Sequence, residues 1–156
     1  MNEWLTPPST KWHRIDGQDL KVKDWIVPIE ESNELDEWDA VLVGVPLSRS
    51  SISASAASEF PEDFRRSWSL FSTYFIDDMV DLRSMKVADL GDVIMHGTDI
   101  LCCHSNIEQA TKVILGDVKS KLYVSIGGDH SITAPIIRAH ADGKRIGIVQ
   151  FDTHLD

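Results

Sequence analysis

The chain has 156 residues, with 25 acidic against 15 basic side chains and a formal net charge of −10. That length suits about one domain, and an apolar content of 42% is enough to build a core. The charge argues against nucleic acid or an anionic membrane as partner, since both demand a basic surface. The two cysteines, Cys102 and Cys103, are adjacent, so a bridge between them would be strained and reduced thiols are the expected state. The opening residues lack a basic segment followed by an apolar one, and no run approaches a membrane span, so a soluble cytoplasmic protein is expected.

Residues 1–38 are polar and acidic, punctuated by Pro7, Pro8, Gly17 and Pro28, yet they hold Trp4, Trp12, Trp25 and Trp38. A disordered tail would be poor in aromatics, so this arm is expected to pack, either on its own domain or across a homo-oligomer contact. His13 stands alone there and reads as a surface or packing residue. Residues 40–45 form an apolar run between Asp39 and Pro46, a first buried strand, and the hydroxyl-rich residues 47–58 follow as a loop at its C-terminal end. In residues 61–75, Pro61, Glu62 and Asp63 suit the first turn of a helix. Phe64, Trp68, Phe71 and Phe75 recur there at helical spacing, which predicts one buried stripe.

Residues 86–90 predict a short strand, with Asp89 and Asp92 at its end read as turn carboxylates and kept out of the ligand set. His96 and His104 follow without a matching carboxylate spacing and are expected on the surface. Ile107, Ala110, Val113, Ile114 and Leu115 mark a helix over residues 106–118.

The closing residues 122–156 carry the chemistry. Two Val- and Ile-rich runs, 122–126 and 145–151, suit strands buried on both faces. Between them Ser131 or Thr133 can cap a helix with Pro135 in its first turn, and Asp142 with Gly143 can stop it. In such a β-α-β unit the two strands run the same way and their C-terminal ends share one sheet edge. Each run is followed by hard metal donors: Asp129-His130 after the first, Asp152-Thr153-His154-Leu155-Asp156 after the second. In an extended segment Asp152, His154 and Asp156 project to one side. Carboxylates with imidazoles suit Mn²⁺, with Zn²⁺ or Fe²⁺ as alternatives, and the absence of a nearby thiolate argues against a soft-metal site. Two carboxylates this close repel unless a cation lies between them. The plain alternative is an Asp- and His-rich loop at a strand end. Gly127-Gly128-Asp129-His130-Ser131 at the converging strand end shifts the balance toward metal. His140 reads as a helix-end residue.

The pair GGDHS and F-D-x-H-x-D, one β-α-β unit apart, resembles the ureohydrolase family of arginase, agmatinase and formimidoylglutamase. Those are binuclear manganese enzymes that hydrolyse guanidino or formimino carbon–nitrogen bonds. The resemblance implies an α/β, three-layer arginase-like fold with a parallel sheet flanked by helices, incomplete in this chain. It further implies His130 as a ligand of the first metal, Asp152 as the bridge, His154 on the second metal and Asp156 on the first. Asp152 and His154 would also be catalytic, and a complete site would hold two Mn²⁺ ions. Thr153 stands where the family usually shows Ala, on the side facing away from the ligands.

Gly44-Val45-Pro46 resembles the family's G-V-P, Pro61 with Phe64 and Arg65 its P-x-x-I-R, and Asp89 to Asp92 its D-x-G-D. Ala54, Ala56 and Phe60 depart from agmatinase-like members, so agmatine specificity is not carried over. The family's third ligand motif, S-x-D-x-D-x-x-D-P, does not occur. The expected organisation is therefore an arm over 1–38 and the N-terminal half of a ureohydrolase-like domain over 39–156.

The implied function is hydrolysis of a linear amidine or guanidine by water whose pKa the ions lower, with this fragment inactive alone. Two rivals stand beside it: a metal-dependent deacetylase of related fold, and an inert structural or oligomerisation half. No esterase elbow, phosphate loop or dinucleotide fingerprint occurs.

Overall fold

Runs of apolar residues too short for helices alternate here with amphipathic segments, and the computed structural model resolves them into a layered α/β arrangement. It describes residues 3–8, 20–31, 37–51 and 53–153. In chain order these form β1 (Leu5–Thr6), α1 (Val22–Trp25), β2 (Val27–Pro28), β3 (Trp38–Gly44), α2 (Phe60–Ser67), β4 (Tyr74–Phe75), β5 (Val80–Asp81), β6 (Val87–Val93), α3 (Ile100–Asp117), β7 (Ser120–Ile126) and α4 (Thr133–Ala141). Strand β3 lies between β6 and β7 and runs parallel to both. β2 adds to β6 in parallel and β1 antiparallel, so the sheet is mixed at that edge.

Alternation along the strands divides the core between two faces. Val41 and Val43 of β3, with Ala88 and Leu90 of β6, meet Cys103, Ile107, Ala110 and Ile114 of α3. Ala40 and Val87 point the other way and pack with Ile26 and Trp68, beside Val22 of α1 and Phe64 of α2. Helices therefore cover both faces of β3 and β6, whereas β7, expected to be buried on both faces, lies at the sheet edge with Leu122 54% exposed. α3 starts at Ile100, earlier than its apolar pattern predicts, because Asp99 caps it by accepting hydrogen bonds from the Leu101 and Cys102 amides. No helix among the described residues is long and apolar enough to cross a membrane.

The described pieces of the arm lie on the chain's own sheet. Leu5 pairs with Val93, the Ile94 amide donates to the Trp4 carbonyl, and the Trp25 indole donates to the Met85 carbonyl at 2.9 Å. Trp38 opens β3 and is buried. Trp12 and His13 lie outside the described residues.

Two predicted elements differ from what forms. The helix predicted over 61–75 stops at Ser67, and Phe71 and Phe75 are exposed, the latter in the β4–β5 hairpin. Ser67 and Ser69 turn their hydroxyls onto the carbonyls of Phe64 and Arg66. Beyond them the Val22 amide bonds Phe71 and the Thr73 amide bonds Leu20, which draws the chain off the helical path. The strand predicted over 145–151 does not form among the described residues. Its apolar side chains are exposed, with Phe151 at 97%, and it joins no ladder.

Candidate metal centre

Parallel register brings Gly44, Asp92 and Ile126 level with one another at the C-terminal edge of the sheet. From there β7 runs into Gly127 and Gly128. A Cβ on Gly128 would lie 2.4 Å from the Leu47 carbonyl oxygen and 2.6 Å from that of Val45, so only glycine lets this turn pass against the loop that follows β3.

Asp129 comes next, and its carboxylate is committed to backbone and hydroxyl donors. Oδ1 accepts from the Ser131 amide at 3.1 Å and the Ser131 hydroxyl at 2.5 Å; Oδ2 accepts from the Ser50 amide at 2.8 Å. Burial acts to raise its pKa, but the Ser131 hydroxyl and the Ser50, Ser131 and Arg49 amides together hold it below the usual carboxylate range. Asp129, rather than Ser131 or Thr133, caps the turn His130–Ile132 that leads into α4. That helix ends as its sequence predicts, with Asp142 and Gly143 both left-handed.

His130 faces outward. Its side chain is 63% exposed, and it lines an open cleft of about 510 Å³ with Gln150, Phe151, Asp152 and Thr153. His130 Nδ1 and Asp152 Oδ2 are 3.9 Å apart, and the Gln150 amide donates to the same Asp152 oxygen at 2.8 Å. That separation is too long for a hydrogen bond. It is within the span of two bonds of roughly 2.1 Å to one ion, so the separation permits a shared divalent cation without by itself setting its geometry. His154 and Asp156 lie outside the described residues. Two of the four expected donors are thus brought together, and among the described residues no group of three or more His, Cys, Asp or Glu converges.

A second charged cluster lies on the same edge, and sequence reasoning identifies its pieces without joining them. Buried Arg65 of α2 donates Nε to Asp89 Oδ2 at 2.7 Å, one terminal nitrogen to Asp89 Oδ1 at 2.8 Å and the other to Asp92 Oδ1 at 2.6 Å. It also reaches the Gly91 carbonyl at 3.0 Å. A Cβ on Gly44 would sit 1.8 Å from Asp92 Oδ1, so the glycine of G-V-P makes room for this cluster. Burial alone would lower the Arg65 pKa; Asp89, then Asp92, outweigh it and drive it up. The signal was present in the P-x-x-F-R and D-x-G-D segments, whose charges are opposite and whose elements meet at one sheet edge.

The remaining histidines have local roles. His96 Nδ1 accepts from the Thr98 and Asp99 amides ahead of α3. His140, in the last turn of α4, meets Tyr123 edge to face at 5.4 Å. His104 is not simply on the surface: its Nε2 lies 3.1 Å from the Ser131 hydroxyl, which ties α3 to the His130 turn.

The sequence profile of the arginase family matches residues 38–156. A formimidoylglutamase of Halalkalibacterium halodurans is 44% identical over 116 residues, which cover 74% of this chain and 36% of that protein. A guanidinobutyrase of Pseudomonas aeruginosa is 35% identical over 131 residues, 82% of this chain and 40% of that protein. Among solved structures, a formimidoylglutamase from Bacillus subtilis superposes with a TM-score of 0.71 at 32% identity, covering 84% of this chain and 40% of that one. The chain spans less than half the length of these relatives.

Proposed function

Because the chain belongs to the arginase family, we propose that the protein carrying it hydrolyses a carbon–nitrogen bond of a linear amidine or guanidine, with a formimino substrate first among the candidates. One observation carries the reading: His130 Nδ1 and Asp152 Oδ2 stand 3.9 Å apart over an open cleft, with His130 just past the end of β7. His130, Asp152, His154 and Asp156 are the proposed metal ligands, and their imidazole and carboxylate donors suit Mn²⁺. When bound, such ions supply Lewis-acid activation of water at neutral pH.

Asp152 is the proposed bridging carboxylate, and Gln150 restrains it through one oxygen. The formimino preference is supported by the higher identity to the formimidoylglutamase than to the guanidinobutyrase. Two free cysteines, with Cys102 exposed, suit a reducing compartment, and the cytoplasm is the location we propose.

The test compares this chain with a protein extended to the length of its relatives, each reconstituted with Mn²⁺. Both are given formimidoylglutamate, guanidinobutyrate, agmatine and an acetylated amine. Formamide released by the extended protein, and by it alone, is the expected result. Urea from the guanidines would move the substrate assignment within the class. Acetate release would replace this reading with the deacetylase one, and no product from any substrate would overturn it.

A further inference from the structure

We infer that Asp129 is a positioning residue of this site: it binds no ion but fastens the loop after β3, residues 45–51, to the turn that presents His130. The inference rests on the hydrolase reading for its kinetic consequence and on geometry for the contact itself. Asp129 meets the loop at two points, since its amide donates to the Leu47 carbonyl at 2.6 Å and its Oδ2 accepts from the Ser50 amide at 2.8 Å. Gly128, one residue earlier, lies under the Val45 and Leu47 carbonyls.

On the other oxygen, the short contact from Ser131 uses that hydroxyl's one proton. His104 Nε2 must therefore be the donor toward Ser131 Oγ, which fixes the histidine tautomer and ties α3 into the same carboxylate. Three segments far apart in sequence thus meet at a group adjacent to a proposed ligand. A carboxylate whose oxygens already take three hydrogen bonds has little left to offer an ion. The serine-rich loop it holds stands at the sheet edge where a substrate would enter.

Asp129→Asn separates this from a ligand role. The amide has one acceptor oxygen and one NH₂; the Ser131 side offers two donors to the oxygen, which leaves the NH₂ facing the Ser50 amide, a donor it cannot accept from. In this chain, hydrogen exchange at the Ser50 amide is expected to quicken by about tenfold or more, the scale of losing a hydrogen bond to a charged group. In the extended, Mn²⁺-loaded protein, KM for formimidoylglutamate is expected to rise about tenfold while kcat changes less than about twofold, the signature of lost substrate positioning. Mn²⁺ affinity should fall by no more than about 10–100-fold, so at saturating Mn²⁺ the amount bound should stay the same.

Ser50→Pro, at an exposed position, removes the loop's donor, fixing φ there as well, and should reproduce the KM rise if Asp129→Asn does not fold. Unchanged Ser50 exchange in Asp129→Asn, or an unchanged KM in Ser50→Pro, overturns the proposal. Failure of Asp129→Asn to bind Mn²⁺ even at saturating concentration, beyond the roughly 10–100-fold weakening that a group one shell out causes, also overturns it, by making the residue a ligand. If the wild type turns over no amidine, the hydrolase reading falls, and the exchange measurement still decides whether Asp129 holds the loop.

Discussion

At the C-terminal edge of the sheet, Arg65, Asp89 and Asp92 close on one another beside β3 and β6, whereas His130 and Asp152 face an open cleft beyond β7. Both groups have the carboxylates that a cation attracts. The first brings its own cation: the guanidinium reaches both oxygens of Asp89 and one of Asp92, and its side chain is 5% exposed. A buried carboxylate without such a partner costs several kcal/mol, so the fold needs this pairing whatever the protein does. The second group is open to solvent, where its charge costs little and an imidazole nitrogen can be reached. Carboxylates at a strand end are thus a poor guide to chemistry until the internal cation has been looked for.

The largest expected effect tests the sealed cluster. Arg65→Met removes the fork and leaves Asp89 buried without its cation, which should destabilise the chain by about 3–5 kcal/mol in urea denaturation. Mn²⁺ binding by whatever stays folded should not change. A cost below about 1 kcal/mol would mean that water reaches Asp89 and that the contrast between the clusters is weaker than the geometry implies.

The next effect is smaller and opposite in kind. His130→Ala in the extended protein should weaken Mn²⁺ binding by at least about 100-fold, since changes one shell further out already cost 10–100-fold. Because the side chain is 63% exposed, stability should stay within about 0.5 kcal/mol. Calorimetric titration with Mn²⁺ and a denaturation curve on the same preparation check both halves. A variant that loses stability but keeps its metal would turn His130 into a structural residue.

The difference between the clusters also marks what the sequence could reveal. Strands β3, β6 and β7 were legible because Val, Ile and Ala runs bounded by charge or Gly have few other uses, and α3 because its apolar spacing persists over several turns. Phe71 and Phe75 continued a helical spacing that the backbone abandons at Ser67, since side-chain period carries no information about competing bonds from Leu20 and Val22. Residues 145–151 have strand composition, but a strand exists only with a ladder partner, and pairing is a long-range fact. At the proposed site, spacing put His130 and Asp152 forward as candidates, and the structure brings the two side chains within 3.9 Å. Asp129 was grouped with the donors because nothing local shows that Ser50, 79 positions away, uses its second oxygen.

The smallest effect concerns the link behind the open site, where α4 continues from the His130 turn and is held to α3 by Glu108. Arg138 donates to one Glu108 oxygen and Lys112 to the other, both at 2.8 Å, and Arg138 first, then Lys112, holds that carboxyl below its usual range. Arg138 is 54% exposed and Lys112 38%, so solvent screens the network and Glu108→Gln should cost at most about 1 kcal/mol near pH 7. A folded-state pKa below the unfolded value, about 4.3, adds stability only above that value and loses it as pH falls through the folded one. The gap between wild type and Glu108→Gln in urea midpoint should therefore be widest near neutrality and close at acid pH. A gap that persists at low pH would mean Glu108 acts by packing. A fall in Mn²⁺ affinity in the same variant would show that the proposed ligand His130 depends on the helix pair behind it, and the separation between sealed and open clusters would then need redrawing.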